Sequence, residues 1–283
     1  VIDTTTRREE EIRARYFAVC CATVQSARLL LNSRSRQFPN GLGNSSDLVG
    51  RYFSGHIGCE VIGYLEDLIG TRPVNNDGAT DHSYIPRFKL DSKAQKYVGG
   101  FHYQMQFSGF MFPRHAQYLK GFGRQFKSEV RRRQPGYFHL GGFGKVIADR
   151  KNRVTVDPNR PDAYGIPIPV VHFRWSENDL ALYRDMCETA KEILHAAKAQ
   201  SIIDTHQKPG GFASHEVGTA RMGHDPRTSV LNSYCRAHDV KNLFVVDGSC
   251  FVTFPEKNPT LTIMALAVRT ARHLATEVRK GNL

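Results

Sequence analysis

The chain has 283 residues, 40% of them hydrophobic and 23% charged, a composition that argues against disorder and leaves room for one large domain or two modest ones. The net charge of +12 raises nucleic acid, anionic membranes and acidic substrates as partners. No recognition module for nucleic acid is visible, and no run approaches the roughly 18 apolar residues of a membrane-spanning helix.

Residues 12–22 read IRARYFAVCCA, a polar start that becomes a continuous apolar run from Tyr16. That pattern suits a strand buried on both faces of a parallel sheet. TVQSARLLLNS follows at once, with Val24, Ala27 (or Arg28) and Leu31 at helical spacing, and stops before the turn cluster Pro39-Asn40-Gly41. A strand running straight into a helix is an α/β signature.

From about residue 58 to 207 the pattern changes. Short β-like stretches at 60–64, 97–107, 137–140, 153–156 and 170–174 are separated by turns such as Asn75-Asn76-Asp77-Gly78, as expected of an antiparallel sheet. Between Arg114 and Arg160 lie 12 Lys/Arg against 3 Asp/Glu, including Arg131-Arg132-Arg133. This reads as a solvated basic face or as a surface for anions or an acidic partner. Ser176 and Asp179 form a capping-box-like start to a helix with Leu182, Met186, Ile193 and Ala197 on one stripe.

Near the C-terminus, residues 242–247 (NLFVVD) form an apolar strand ending in an acid. Asn258-Pro259-Thr260 then opens a long helix with Leu261, Met264, Val268, Ala271 and Val278 on its apolar face. Proline at a first-turn position loses nothing by lacking an N–H. The organisation expected is α/β at both ends, sharing one sheet, with an antiparallel insert between.

The six cysteines form no C-x-x-C pair and most read as small buried apolar side chains; the twelve histidines show no H-E-x-x-H, and no metal site is expected. Three blocks carry candidate chemistry. His215, in a Gly-containing loop, bears an imidazole that titrates near neutrality and can take a proton from an alcohol. Asp247 sits at the carboxyl end of a strand, where open α/β sheets bind ligands and where an acid can accept from ribose or ribityl hydroxyls. The helix start at Pro259 offers unpaired N–H groups and a positive dipole end suited to anionic charge.

In this order, His215-x-x-Gly218-Thr219-x-x-Met222-Gly223, Asp225-Pro226, Asn242-Leu243-Phe244-Val245-Val246-Asp247-Gly248-Ser249 and Asn258-Pro259-Thr260-Leu261-Thr262 resemble the C-terminal signature of the glucose–methanol–choline (GMC) oxidoreductases. The stretch from Cys21-Ala22 through Gly50-Arg51-Tyr52 is similar to the family's mid-chain segment, and residues 60–205 match loosely, nearest in look to the sugar and gluconate dehydrogenase branch. The resemblance implies a mixed α/β fold. Residues 1–57 and 208–283 would form part of a Rossmann-like FAD-binding domain, and residues 58–207 an antiparallel substrate domain.

It also implies FAD as cofactor and a sugar, polyol or other alcohol as CH–OH donor. His215 would remove the hydroxyl proton, Asn258 would bond the substrate oxygen, and hydride would pass to flavin N5. Asp247 and Gly248 would contact the ribityl–pyrophosphate region, and Asn258, Pro259 and Thr260 the ring. Electrons would go to oxygen, a quinone or a cytochrome subunit. The family's G-x-G-x-x-G turn is absent: Gly121-Phe122-Gly123 and Gly142-Phe143-Gly144 lack its last glycine. With Val1 in place of an initiator Met, the expectation is that about half the enzyme, and any targeting signal, precedes this chain. The chain alone would then bind FAD poorly. An inactive truncated product and a basic anion- or nucleic-acid-binding protein are the competing expectations.

Overall fold

The computed structural model describes residues 1–72, 83–90, 95–107, 113–204 and 215–283. The turn expected at 75–78 and the boundary expected at 207/208 lie outside the described residues.

The two chain ends do share a sheet. Strand β1 (Phe17–Val19) leads into helix α1 (Thr23–Asn32) and pairs in parallel with β9 (Leu243–Val245), Phe17 opposite Leu243 and Val19 opposite Val245. The apolar run at 16–22 is not sandwiched on both faces, however. The strand is three residues long, β9 is its one partner among the described residues, and Phe17 is 43% exposed. A parallel strand without layers above and below cannot bury both rows of side chains.

The middle of the chain forms a five-stranded sheet. Strands β2 (His56–Tyr64), β3 (Ser83–Ile85), β4 (Phe101–Phe107), β5 (Tyr137–Lys145) and β8 (Gln200–Asp204) lie in the order β3-β4-β5-β2-β8, every neighbour antiparallel. Helix α3 (Glu177–Ala196) crosses one face. Its N-terminus has the expected capping box: Asp179 N–H donates to Ser176 Oγ at 3.2 Å, and Ser176 N–H to Asp179 Oδ2 at 2.8 Å. Its buried stripe is Leu182, Met186, Ala190 and Leu194, continuing through Leu194 rather than Ala197. Beneath it lie Ile57, Cys59, Val61, Tyr103, Phe138 and Leu140.

The glycines of the Gly142-Phe143-Gly144 triplet let this helix approach. A Cβ on Gly142 would sit 2.6 Å from Cys59 Sγ, and one on Gly144 2.3 Å from Leu182 Cδ2. The triplet therefore lies inside β5 as a packing device. Alternation along the strands turns His56, His102, Gln104, His139 and Phe143 to the opposite face.

Two elements decorate this frame. The hairpin of β6 (Arg153–Pro161) and β7 (Pro167–His172) packs against α1, where Arg28 donates to Pro167 O at 2.8 Å and pairs with Asp162 at 2.6 Å. Helix α2 (Gly123–Arg133) carries the basic run. Glu129 pairs with Arg132 and Arg133 at 2.8 and 2.5 Å, and Val130 is its one buried residue. It follows a 3₁₀ turn, not a strand, so Gly121-Phe122-Gly123 does not form a strand–turn–helix unit.

Helix α4 (Thr260–Arg279) starts as expected: Pro259 has helical φ and ψ, and its carbonyl accepts from Ile263 N–H at 2.9 Å. Its apolar stripe lies open instead of buried. Leu261, Met264 and Val268 are 79%, 59% and 51% exposed, whereas Ile263 and Leu266 pack onto the core beneath. No helix among the described residues is long and apolar enough to cross a membrane.

Candidate active site

The loop that begins at His215 is clamped between two segments. Val217 exchanges backbone hydrogen bonds with Ser54 at 2.8 and 3.0 Å, and Thr219 N–H donates to Arg51 O at 3.0 Å. On the other side, Gly218 N–H donates to Gly248 O and Ala220 N–H to Ser249 O, both at 3.0 Å. The start of α1 braces the same loop, Thr23 Oγ1 donating to Glu216 O at 2.6 Å. Gly218 has φ +86°, and a Cβ there would lie 2.1 Å from the Tyr52 carbonyl oxygen, so only glycine fits. His215 itself has φ 68°, a left-handed conformation that a non-glycine residue holds only when its surroundings impose it.

This clamp brings His215 to Asn258, with Asn258 Nδ2 3.3 Å from His215 Nε2. The two expected catalytic positions, from separate loops, thus meet. Two residues that sequence reasoning missed join them from the sheet. His56 Nδ1 lies 3.1 Å from His215 Nδ1, and its Nε2 lies 2.8 Å from Pro255 O. Gln104 Nε2 donates to Asn258 Oδ1 at 3.0 Å. The Phe143 ring stands 5.5 Å from that of His215, and Phe254 stacks on His56 at 4.2 Å.

Burial of the histidines disfavours imidazolium. Burial pushes the His56 pKa down to about 3, against the carbonyl of Pro255, which pulls it up. Burial also lowers that of His102 to about 4, helped by the Lys257 charge. For His215 the direction is down, again from burial, with the neighbouring Glu216 charge opposing. Among the described residues no group of three His, Cys, Asp or Glu side chains could hold a metal ion.

The expected cofactor positions lie on the turn bonded to the His215 loop and at the start of α4. Asp247 is buried and its carboxylate is already engaged: Ser26 Oγ donates to Oδ2 at 2.5 Å, and Ser249 N–H and Oγ donate to Oδ1 at 2.8 and 2.5 Å. It holds the turn that presents Gly248, whose own Cβ position is filled by Thr23 Oγ1 and Glu216 O at 2.7 and 2.8 Å. Pro259 and Asn258 line a cavity of about 330 Å³ with Phe251, Phe254, Thr262 and Leu266. Thr260 opens α4, which has no side-chain cap.

The family model described as GMC oxidoreductase matches residues 148–267. The 2-methyl-1,2-propanediol dehydrogenase of Mycolicibacterium austroafricanum is 33% identical over 97% of this chain and 50% of its own length. The 6'''-hydroxyparomomycin C oxidase of Streptomyces lividus is 32% identical over 98% of this chain and 48% of its own. The chain thus spans about half the length of the curated relatives it matches. Among solved structures, a formate oxidase of Aspergillus oryzae RIB40, described for its FAD modification, superposes with a TM-score of 0.62 at 16% identity, covering 94% of this chain and 55% of that one. With the motif order, the clamped His215 loop and these matches in agreement, the chain belongs to the GMC oxidoreductase family.

Proposed function

We propose that the protein is an FAD-dependent oxidoreductase of CH–OH groups in a sugar, polyol or other alcohol, with His215 as acid/base and Asn258 as its partner. The observation that carries this reading is the meeting of His215 Nε2 and Asn258 Nδ2 at 3.3 Å beside an apolar cavity. A hydroxyl oxygen set between them would accept from the Asn258 amide while its proton passes to His215. A neutral imidazole is needed to receive that proton, and burial supplies it.

The residues present fit the ring end of a flavin. Asn258, Pro259 and Thr260 would hold the ring at the uncapped start of α4, where the helix dipole favours negative charge. Asp247 and Gly248 would meet the ribityl–pyrophosphate region, the carboxylate acting through the turn it stabilises. Bound FAD would supply the acceptor for hydride. In this reading β1, β9, α1 and α4 are part of a Rossmann-like FAD-binding domain, residues 1–57 and 208–283, and the five-stranded sheet is the floor of a substrate domain, residues 58–207.

A panel of sugars, polyols and simple alcohols, run on the full-length protein with a dye acceptor and in air, tests the proposal. Turnover of at least one CH–OH donor with bleaching of the flavin band supports it. Absence of flavin, or of bleaching across the panel, overturns it. Activity in air as against dye alone separates oxygen from a quinone or cytochrome acceptor.

A further inference from the structure

The hydrogen bonds on either side of the His215–Asn258 pair leave little freedom in where its protons lie. His56 Nε2 is 2.8 Å from the Pro255 carbonyl oxygen, which can only accept, so this nitrogen carries a proton. With its pKa pushed down to about 3, His56 holds a single ring proton near neutrality. Its Nδ1 is therefore a bare lone pair. That lone pair faces His215 Nδ1 at 3.1 Å, a separation that becomes a hydrogen bond only if His215 donates from Nδ1. A neutral His215 protonated at Nδ1 has its lone pair at Nε2, the nitrogen beside Asn258.

The other end is fixed in the same way. Gln104 is buried on β4, and its amide N–H donates to Asn258 Oδ1. That bond turns the Asn258 N–H toward His215 Nε2 at 3.3 Å. His56 and Gln104 both stand on the sheet face opposite α3.

We infer that His56 and Gln104 are positioning residues: His56 locks His215 in the Nδ1–H tautomer, so that Nε2 is the basic nitrogen, and Gln104 locks the Asn258 amide with its N–H toward the same point. The tautomer stands on the two hydrogen bonds of a neutral, buried His56, and its catalytic meaning rests on the function proposed above. A sheet of the middle region thereby sets the proton inventory of a pair supplied by the C-terminal loops. The hydrogen bond at one ring nitrogen sets which nitrogen carries the proton, and in the Ser-His-Asp triad the wrong tautomer lowers kcat about 10⁴-fold.

The test reads the tautomer directly, in long-range ¹H–¹⁵N correlation spectra of ¹⁵N-histidine-labelled full-length protein, whether or not FAD is bound. Loss of one ring system in His215→Gln assigns the His215 signals. The wild type is expected to show His215 protonated at Nδ1 with a bare Nε2. His56→Leu should shift His215 toward the Nε2–H form, and His56→Asn, which keeps an acceptor oxygen near the Nδ1 position, should restore it. His215 protonated at Nε2 in the wild type, or a tautomer unmoved by His56→Leu, overturns the inference. If His56→Leu does not fold, the wild-type and His56→Asn spectra decide.

For Gln104, Gln104→Leu should lower kcat about tenfold with little change in KM, and Gln104→Glu, which keeps an oxygen but loses the amide N–H, should not rescue it. An unchanged kcat in Gln104→Leu removes its role. A protein with the expected tautomer but no alcohol-dependent bleaching would refute the proposed function and leave this inference standing; the converse result would refute only the inference.

Discussion

Helices α3 and α4 are both 20 residues long, both amphipathic, and meet opposite fates. The stripe of α3 is fully covered because the five-stranded sheet lies beneath it, with Gly142 and Gly144 cleared of side chains to let it close in. The stripe of α4 carries residues just as apolar, yet Leu261, Met264 and Val268 stand in the open. Periodicity names the face a helix would bury, whereas burial needs a partner surface. The middle region supplies its own partner; the region built from the chain ends covers Ile263, Leu266 and Thr270 but leaves the stripe open.

This contrast can be broken by mutation. Leu182→Ala should destabilise the protein by about 2–5 kcal/mol, because the side chain is wholly buried between α3 and the sheet and its loss leaves a cavity. Chemical denaturation would show this as a fall in midpoint at constant slope. A loss under about 1 kcal/mol would mean that the α3–sheet core is not closed as described.

The site face of the sheet should show itself in acid. An unfolded histidine titrates near 6.5, whereas folded His56 and His102 titrate at about 3 and 4. Between these values the unfolded chain binds more protons than the folded one. The stabilisation from their neutral forms is therefore complete above about pH 6.5 and drains away as pH falls toward 3 to 4. Denaturation midpoints should drop between pH 7 and pH 5, and His102→Phe should flatten the drop. An equally steep profile in that variant would show that His102 is not the buried neutral group described.

On α4 the smallest effect is expected. Met264→Ala should change stability of this chain by no more than about 0.5 kcal/mol, since the side chain has little to lose. A loss as large as that of Leu182→Ala would show that the stripe is covered in solution.

Much of this arrangement could be read along the chain where local chemistry decides it. The capping box at Ser176 and Asp179, the Pro259 helix start and the parallel pairing of the two ends all follow from short motifs, as does the family resemblance carried by His215, Asp247 and Asn258. What escaped was non-local. His56 and Gln104 are single positions on strands whose inward row is apolar, and nothing in their spacing reveals that the other row faces His215 and Asn258. Only the register of β2, β4 and β5 places them there. Strands β3 and β8 are short edge strands, defined by their neighbours more than by their own pattern. The engaged carboxylate of Asp247 was equally hidden, because Ser26 lies on α1, near the opposite end of the chain.

The central claim is that His215 acts as the proton acceptor over a bound flavin, and the anaerobic reductive half-reaction tests it most directly. Mixing FAD-loaded full-length protein with the best donor from the panel should bleach the flavin, and His215→Ala should slow that bleaching about 10²- to 10⁴-fold with the oxidised spectrum unchanged. Bleaching at near wild-type speed in His215→Ala would contradict the account.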